Sequence, residues 1–228
     1  MKTLTPLQNE SELLQRCRAL AGIELQEIAS FYHQTIPKSL HQAKGFVGQL
    51  IEQALGALSA NQPEPDFPHL GIELKTLPLN ANGLPRETTY VCTAPYTIQA
   101  CTEQWENSRV QKKLARVLWV PFEADPSIPL PKRRIGNALL WSPDKATAQI
   151  LREDWEELSA MLQLGQSALL SAKIGRYLQL RPKAAHSRIL SPAVNDLNEL
   201  IQTNPKGFYL RTVLTQKILA EHYCQSFV

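Results

Sequence analysis

The sequence lacks any long apolar run. No stretch of its 228 residues reaches the ~20 consecutive apolar residues that a bilayer-crossing helix needs, and the polar start MKTLTPLQNESE lacks the form of a secretory signal. A cytoplasmic protein without a membrane partner is expected. Cysteine is scarce as well. Cys17, Cys92, Cys101 and Cys224 show neither a Cys-x-x-Cys spacing nor histidine companions, which argues against a zinc site or a disulfide framework and for free thiols. There is no low-complexity segment and no internal repeat. Excess charge is small too: 24 Lys and Arg against 21 Asp and Glu leave a net +3, which permits an anionic partner without requiring one. The rest of the composition, 43% hydrophobic and 20% charged, is that of an ordinary globular protein long enough to bury a substantial core.

The most informative stretch is Asp66-Phe-Pro-His-Leu-Gly-Ile-Glu73-Leu-Lys75-Thr-Leu-Pro-Leu79. From Gly71 it alternates, with Ile72, Leu74 and Thr76 on one side and Glu73 and Lys75 on the other, which predicts a β-strand with one apolar face. Asp66 arrives from a proline-rich loop just upstream. Two carboxylates and an ammonium so placed suit metal-assisted phosphodiester hydrolysis: the acids hold a hard cation through oxygen, and the lysine steers or activates the attacking water. Glu-x-Lys alone is a weak signal, since chance supplies about one per chain at this composition. The competing reading is a Glu–Lys neighbour pair on a solvated strand face.

Upstream, residues 10–35 read as two short helices, and GFVGQLIEQALGAL from Gly45 to Leu58 as a mostly buried one with Glu52 in its middle. Glu52 is either an exposed helical acid or a carboxylate with a partner, for which a metal is a candidate. Downstream, the Asn80–Gly83 turn signal followed by Thr88–Thr93 predicts a hairpin over residues 71–94. Arg109, Lys112, Lys113 and Arg116 fall at helical spacing on one face, either solvated or touching phosphate. Val117–Phe122 and Ile135–Trp141 read as strands, and residues 144–173 as one long helix or two. Tyr177–Lys183 reads as a strand ending at Pro182. Residues 192–202 look helical, Lys206–Arg211 forms a short strand, and a helix from Thr212 to Phe227 closes the chain. Helices and strands interleave, so the expected fold is α/β, a mixed β-sheet flanked by helices.

These runs carry a resemblance. Lys44-Gly-Phe-Val-Gly, Glu52, Asp66, Gly71-Ile-Glu-Leu-Lys-Thr76 and Glu87-Thr-Thr-Tyr-Val-Cys92 resemble the MutH family, the endonucleases of methyl-directed mismatch repair. So do Arg116-Val-Leu-Trp-Val-Pro121, Leu140-Trp-Ser-Pro143, Leu151-Arg-Glu-Asp-Trp-Glu-Glu-Leu158, Tyr177-Leu-Gln-Leu-Arg-Pro-Lys-Ala-Ala185 and Gly207-Phe-Tyr-Leu210. The resemblance implies a restriction-endonuclease-like fold, one domain over residues 1–228 with two lobes around a DNA-binding cleft. Residues 1–106 would carry the catalytic motif and residues 107–228 would read DNA.

The same resemblance implies catalytic roles for Glu52, Asp66, Glu73, Lys75 and Lys113, and a metal site of Asp66, Glu73 and Leu74 for one or two Mg²⁺. For DNA it implies Arg181, Pro182 and Lys183 as a GATC-reading loop, Tyr209 near the adenine whose methylation is sensed, Lys44 at a phosphate, and Tyr90 where the family carries an aromatic wedge. The expected activity is Mg²⁺-dependent nicking of the unmethylated strand at hemimethylated or unmethylated GATC by a monomer activated by MutL, with MutS upstream. A restriction enzyme making double-strand breaks and a non-catalytic DNA-binding module are the alternatives. Metal-dependent cleavage separates the second from the enzymes, and product topology separates the first from a nickase.

Overall fold

The computed structural model describes residues 7–38, 45–57, 64–95, 103–164, 166, 173–183, 190–194 and 199–225. It divides into two compact units, Met1–Arg86 with Arg116–Ser142, and Glu87–Ala115 with Pro143–Val228. The chain therefore changes unit three times. Arg116–Ser142 returns to the first unit and supplies strands beside the stretch that carries Glu73 and Lys75.

In the first unit, α1 (Glu10–Leu20), α2 (Leu25–Phe31) and α3 (Phe46–Leu55) surround a three-stranded sheet. The helices start where local chemistry provides caps. Asn9 accepts the amide of Glu12, and Glu24 and Glu27 form a capping box at the head of α2. Left-handed glycines, Gly45 and Gly56, bracket α3. In the sheet, β1 (Glu73–Leu79) runs parallel to β3 (Val117–Glu123), and β4 (Leu139–Trp141) lies antiparallel on the other side of β3. Being central, β3 is buried at every position from Val117 to Phe122. Leu13, Leu25, Leu50, Ile51, Leu55, Phe67, Ile72, Leu74, Leu118 and Val120 form the core between helices and sheet.

In the second unit, β2 (Thr89–Thr93), β8 (Lys206–Leu210) and β5 (Leu178–Pro182) form an antiparallel sheet with β8 in the middle. A separate two-stranded ladder joins β6 (Ser191–Val194) to β7 (Leu200–Thr203). The helices are α4 (Arg109–Leu114), α5 (Lys145–Gln163) and α6 (Thr212–Gln225). Ser108 and Asp144 cap α4 and α5 by accepting the amides of Gln111 and Thr147. Trp155 belongs to the core face of α5 and is 7% exposed.

The α/β fold with mixed strand directions and flanking helices matches the expectation, but four local readings are corrected. The hairpin over residues 71–94 does not form. The Asn80 side chain does accept the amides of Asn82 and Leu84, and a bridge joins Leu79 to Pro85. Pro85 has no N–H with which to extend the ladder, and β1 and β2 take partners in different sheets. Within the span 192–202 read as helical, the described residues 192–194 and 200–202 lie in strands, Ser191–Val194 pairing with Leu200–Thr203, in keeping with Pro192 and the β-branched Val194, Ile201 and Thr203. Of the strand expected over Ile135–Trp141, only Leu139–Trp141 joins the sheet, and Ile135 makes an isolated bridge to Phe122. The four-cation face is also broken. The α4 helix ends at Leu114, and Arg116 belongs to the first unit, where its guanidinium grips both Glu10 oxygens at 2.9 and 2.7 Å.

Candidate functional site

The acid cluster begins with the turn that precedes β1. Pro68–Leu70 forms a single 3₁₀ turn closed by Gly71 at φ 66°, a left-handed conformation that suits glycine. Phe67 then pairs back with Ile72, donating its amide at 2.9 Å and accepting at 3.2 Å. This reversal carries Asp66 alongside the start of the strand, where its Oδ2 accepts the Leu74 amide at 2.8 Å. Glu73 opens β1, its amide bonded to the Arg116 carbonyl at 3.0 Å and its Cα in register with Val117. The Glu73 side chain is 2% exposed and pairs with the Lys75 ammonium, itself 14% exposed. The competing picture of a solvated strand face therefore fails, because both faces of β1 are covered at this end.

Glu52 comes to the same place from α3. A methyl added to Gly48 would stand 3.9 Å from Thr76 Oγ1 and 4.0 Å from Glu52 Oε1, so α3 turns its glycine toward β1 and Glu52 follows one turn later. Burial raises the Glu52 pKa above the ordinary carboxylate value, and repulsion from Asp66 and Glu73 adds to this against the pull of Lys75. Three carboxylates and one ammonium of the first unit thus lie within electrostatic reach of one another, with Glu73 almost fully buried. Asp66 and Glu73 are engaged with protein donors, and among the described residues no three acidic, histidine or cysteine side chains stand as a ready-made metal cage. The donor set is nevertheless all oxygen and its carboxylates repel one another, and a hard divalent cation would satisfy both conditions. Leu74, whose side chain lies in the core at 4% exposure, can offer such a cation only its main-chain carbonyl.

The second unit gathers a different cluster on one face of its sheet. Tyr209 on β8 is in register with Tyr90 on β2 and with Gln179 on β5, and Gly207 is in register with Thr93 and Arg181. The register slips between Tyr90 and Cys92, a bulge that returns Thr93 to the face of Tyr90. The two tyrosine rings meet edge to face at 5.3 Å. A Cβ at Gly207 would fall 2.8 Å from Tyr90 Cε2 and 3.3 Å from Tyr209 Cε2, so glycine is what allows the rings to close over β8. The cations stand over these rings. The Arg181 guanidinium is 5.9 Å from the Tyr209 centroid, and Lys183 Nζ is 4.8 Å from that of Tyr90. Arg181 also donates to Thr88 Oγ1 at 2.7 Å, and Lys183 to Thr93 Oγ1 at 2.8 Å. Burial raises the Tyr209 hydroxyl pKa, with Tyr90 and Glu87 adding to the rise and Arg181 opposing it. The hydroxyl therefore stays protonated and able to donate. Arg181, Pro182 and Lys183 are all exposed.

Glu52, Asp66, Glu73 and Lys75 are thus brought together in the first unit, and Tyr90, Arg181, Lys183 and Tyr209 in the second, with Pro182 between its two cations. Lys113 lies on α4, where it is 9% exposed while its neighbour Lys112 is open to solvent. Lys44 lies outside the described residues. Reading the sequence misses Thr88, Thr93 and Gly207. The one signal available is an isolated glycine inside a strand, which marks a close approach.

Comparison with known proteins adds an independent line. Residues 55–154, which include Asp66, Glu73, Lys75, Tyr90 and Lys113, match the family model described as DNA mismatch repair enzyme MutH. The chain is 50% identical over 220 residues to the DNA mismatch repair protein MutH of Shewanella putrefaciens, covering 96% of this chain and 98% of that one. It is 49% identical over 217 residues to the protein of the same name from Vibrio parahaemolyticus, covering 95% of each.

Proposed function

Because the chain belongs to the MutH family of DNA mismatch repair enzymes, we propose that it is a Mg²⁺-dependent endonuclease that nicks the unmethylated strand at GATC sites and is activated by MutL, with MutS acting upstream. The observation that carries this reading is the convergence of Glu52, Asp66, Glu73 and Lys75 at the head of β1. Asp66, Glu73 and the Leu74 carbonyl would hold one or two Mg²⁺. When bound, the metal supplies Lewis-acid polarisation of the scissile phosphate and lowers the pKa of the attacking water.

The protein's own groups do the rest. The Lys75 ammonium, held by Glu73, presents a fixed positive charge to the reacting water and phosphate. Glu52 adds a carboxylate whose raised pKa lets it take or give a proton closer to neutrality than an ordinary glutamate. Lys113 is the second lysine of the family pattern. Arg181 suits the paired O6 and N7 acceptors of guanine. Tyr209 would contact adenine N6, where an added methyl is excluded by size and removes a donor. Pro182 and Lys183 would complete the GATC-reading loop with Arg181, Lys44 would meet a phosphate, and Tyr90 would press its ring against the duplex with its hydroxyl tied to Thr93 at 2.9 Å. No helix among the described residues is long and apolar enough to cross a membrane, and the proposed site of action is the cytoplasm.

The direct test is a plasmid with one hemimethylated GATC, incubated with the protein and Mg²⁺, with and without MutL. Cutting that requires the metal and accelerates with MutL is expected. DNA binding without cutting in Mg²⁺, Mn²⁺ or Ca²⁺, even with MutL, would instead make the protein a binding module.

Arg181→Ala is expected to lower the ratio of GATC to scrambled-site affinity by about five- to 150-fold, the effect of a base contact of roughly 1–3 kcal/mol. Lys112→Ala, on the exposed side of α4, should weaken all sequences alike and reduce the salt slope by about one phosphate contact. Binding titrations at several salt concentrations separate the two. An unchanged ratio in Arg181→Ala removes the reading loop from the model.

A further inference from the structure

The strand that carries Arg181 starts from a turn held by charge on both sides, and no catalytic role accounts for either charge. Asp154 lies on the core face of α5 and is 3% exposed. Its Oδ1 accepts the Arg176 amide at 2.8 Å, and its Oδ2 accepts the amides of Tyr177 at 2.6 Å and Leu178 at 2.8 Å. These are three consecutive main-chain donors at the entry to β5, all taken by one carboxylate. The carbonyls of the same turn face the opposite charge. Arg211, the residue after β8, donates through Nη1 to the Gly175 carbonyl at 2.6 Å and to that of Lys173 at 3.3 Å. Its own amide donates to the Tyr177 carbonyl at 2.8 Å. Gly175 makes the arrangement possible. It sits at φ 83°, and a Cβ there would fall 1.9 Å from the Leu178 carbonyl oxygen and 3.4 Å from Asp154 Cγ. Outside this pair of charges, the Arg176 side chain ties to Glu153.

We propose that Asp154 and Arg211 form a clamp that fixes where β5 begins, and so positions Arg181 and Lys183 for base discrimination three to five residues downstream. The geometry makes such transmission short. From Leu178 to Pro182 every residue of β5 is paired with β8, so the strand is held as a rigid ladder with the clamp at one end and the reading side chains at the other. A shift at Leu178 cannot be absorbed before Arg181 without breaking that register. Both are positioning residues, since neither touches DNA in this account. Asp154 is chemically suited because an ionised carboxylate accepts several amides at once, and hydrogen bonds with a charged acceptor are roughly twice as strong as neutral ones. An asparagine keeps the shape but turns an NH₂ donor toward backbone donors.

The inference rests on Arg181 being the base reader, so the experiment includes Arg181→Ala beside Asp154→Asn and the double variant. GATC and scrambled-site affinities are measured with full-length protein across a salt series. Asp154→Asn is expected to reduce the GATC-to-scrambled ratio by about tenfold while leaving the salt slope unchanged. The double variant should lose no more discrimination than Arg181→Ala alone, because Asp154 acts through Arg181. Additive losses in the double variant, or a proportional loss on both DNAs in Asp154→Asn, would overturn the clamp in favour of a general structural role. An unchanged ratio in Asp154→Asn while Arg181→Ala lowers it also overturns the clamp and leaves the reading loop standing. An unchanged ratio in Arg181→Ala removes the reading loop first, and the clamp's role in discrimination with it. Should Asp154→Asn fail to fold, Arg211→Gln, which loses the carbonyl contacts from a half-exposed position, decides by the same comparison.

Discussion

Replacing Lys75 with alanine is expected to lower GATC cleavage by about a hundred- to ten-thousandfold, the range for removing a positioned proton-transfer or charge-stabilising group, while GATC binding is retained. The ammonium lies on β1 against Glu73, in the first unit, whereas Arg181 and Tyr209 belong to the second-unit sheet. The substitution also has a stability cost. Glu73 is almost fully buried, and taking the lysine from a buried pair typically costs about 3–5 kcal/mol. Lys75→Gln separates the two effects, because its amide still donates to Glu73 but brings no charge. The glutamine variant should melt closer to the parent than the alanine variant and cleave as poorly. If Lys75→Gln cuts at the parental rate, the charge is not needed. Binding and cleavage lost together in both variants would make the lysine structural.

The position of the acid cluster could be read from the sequence because it depends on short-range geometry. The alternation from Gly71 to Lys75 and the prolines around Asp66 are local signals, and a strand with a turn before it brings Asp66, Glu73 and Lys75 together almost regardless of the remaining fold. Glu52 was legible for a similar reason: an acid among Leu50, Ile51, Ala54 and Leu55 has little solvent to face. The expected hairpin failed because partner choice is not local. Val117–Phe122 is a fully buried run, and pairing β1 with it covers Leu74 and Leu77 as well as Glu73, which a return strand interrupted by Pro85 could not do. The three crossings between units follow from the same pairing.

The tyrosine pair shows the limit from the other direction. Tyr90 and Tyr209 are 119 positions apart, and their meeting depends on a bulge and on Gly207. The resemblance named both residues, yet nothing in residue spacing shows that they touch or that Thr88 and Thr93 hold the neighbouring cations. The basic face illustrates periodicity extended too far. Arg109, Lys112 and Lys113 do lie on one helix, but α4 stops at Leu114, before Arg116. A period of 3.6 residues says nothing about where a helix ends when no glycine or proline marks the stop.

On supercoiled plasmid with one hemimethylated GATC, the expected product is open circle, with linear DNA scarce throughout. The chain holds one Asp66, Glu73 and Lys75 set and no second Asp…Glu-x-Lys arrangement, so on the proposed function one molecule carries one catalytic centre. Cutting both strands of a palindrome in one event would take two copies related by the two-fold axis of the DNA. A monomer bound at GATC places its single centre on one strand, and which strand is decided by where the methyl group is excluded, which the proposal assigns to Tyr209. An unmethylated site should therefore be nicked first and linearised only slowly, by a second independent encounter whose rate rises with protein concentration. A fully methylated site should remain supercoiled. Quantifying the three plasmid forms over time on all three substrates tests this. Linear product formed without an open-circle precursor would show two centres acting together and favour a restriction enzyme over a repair nickase.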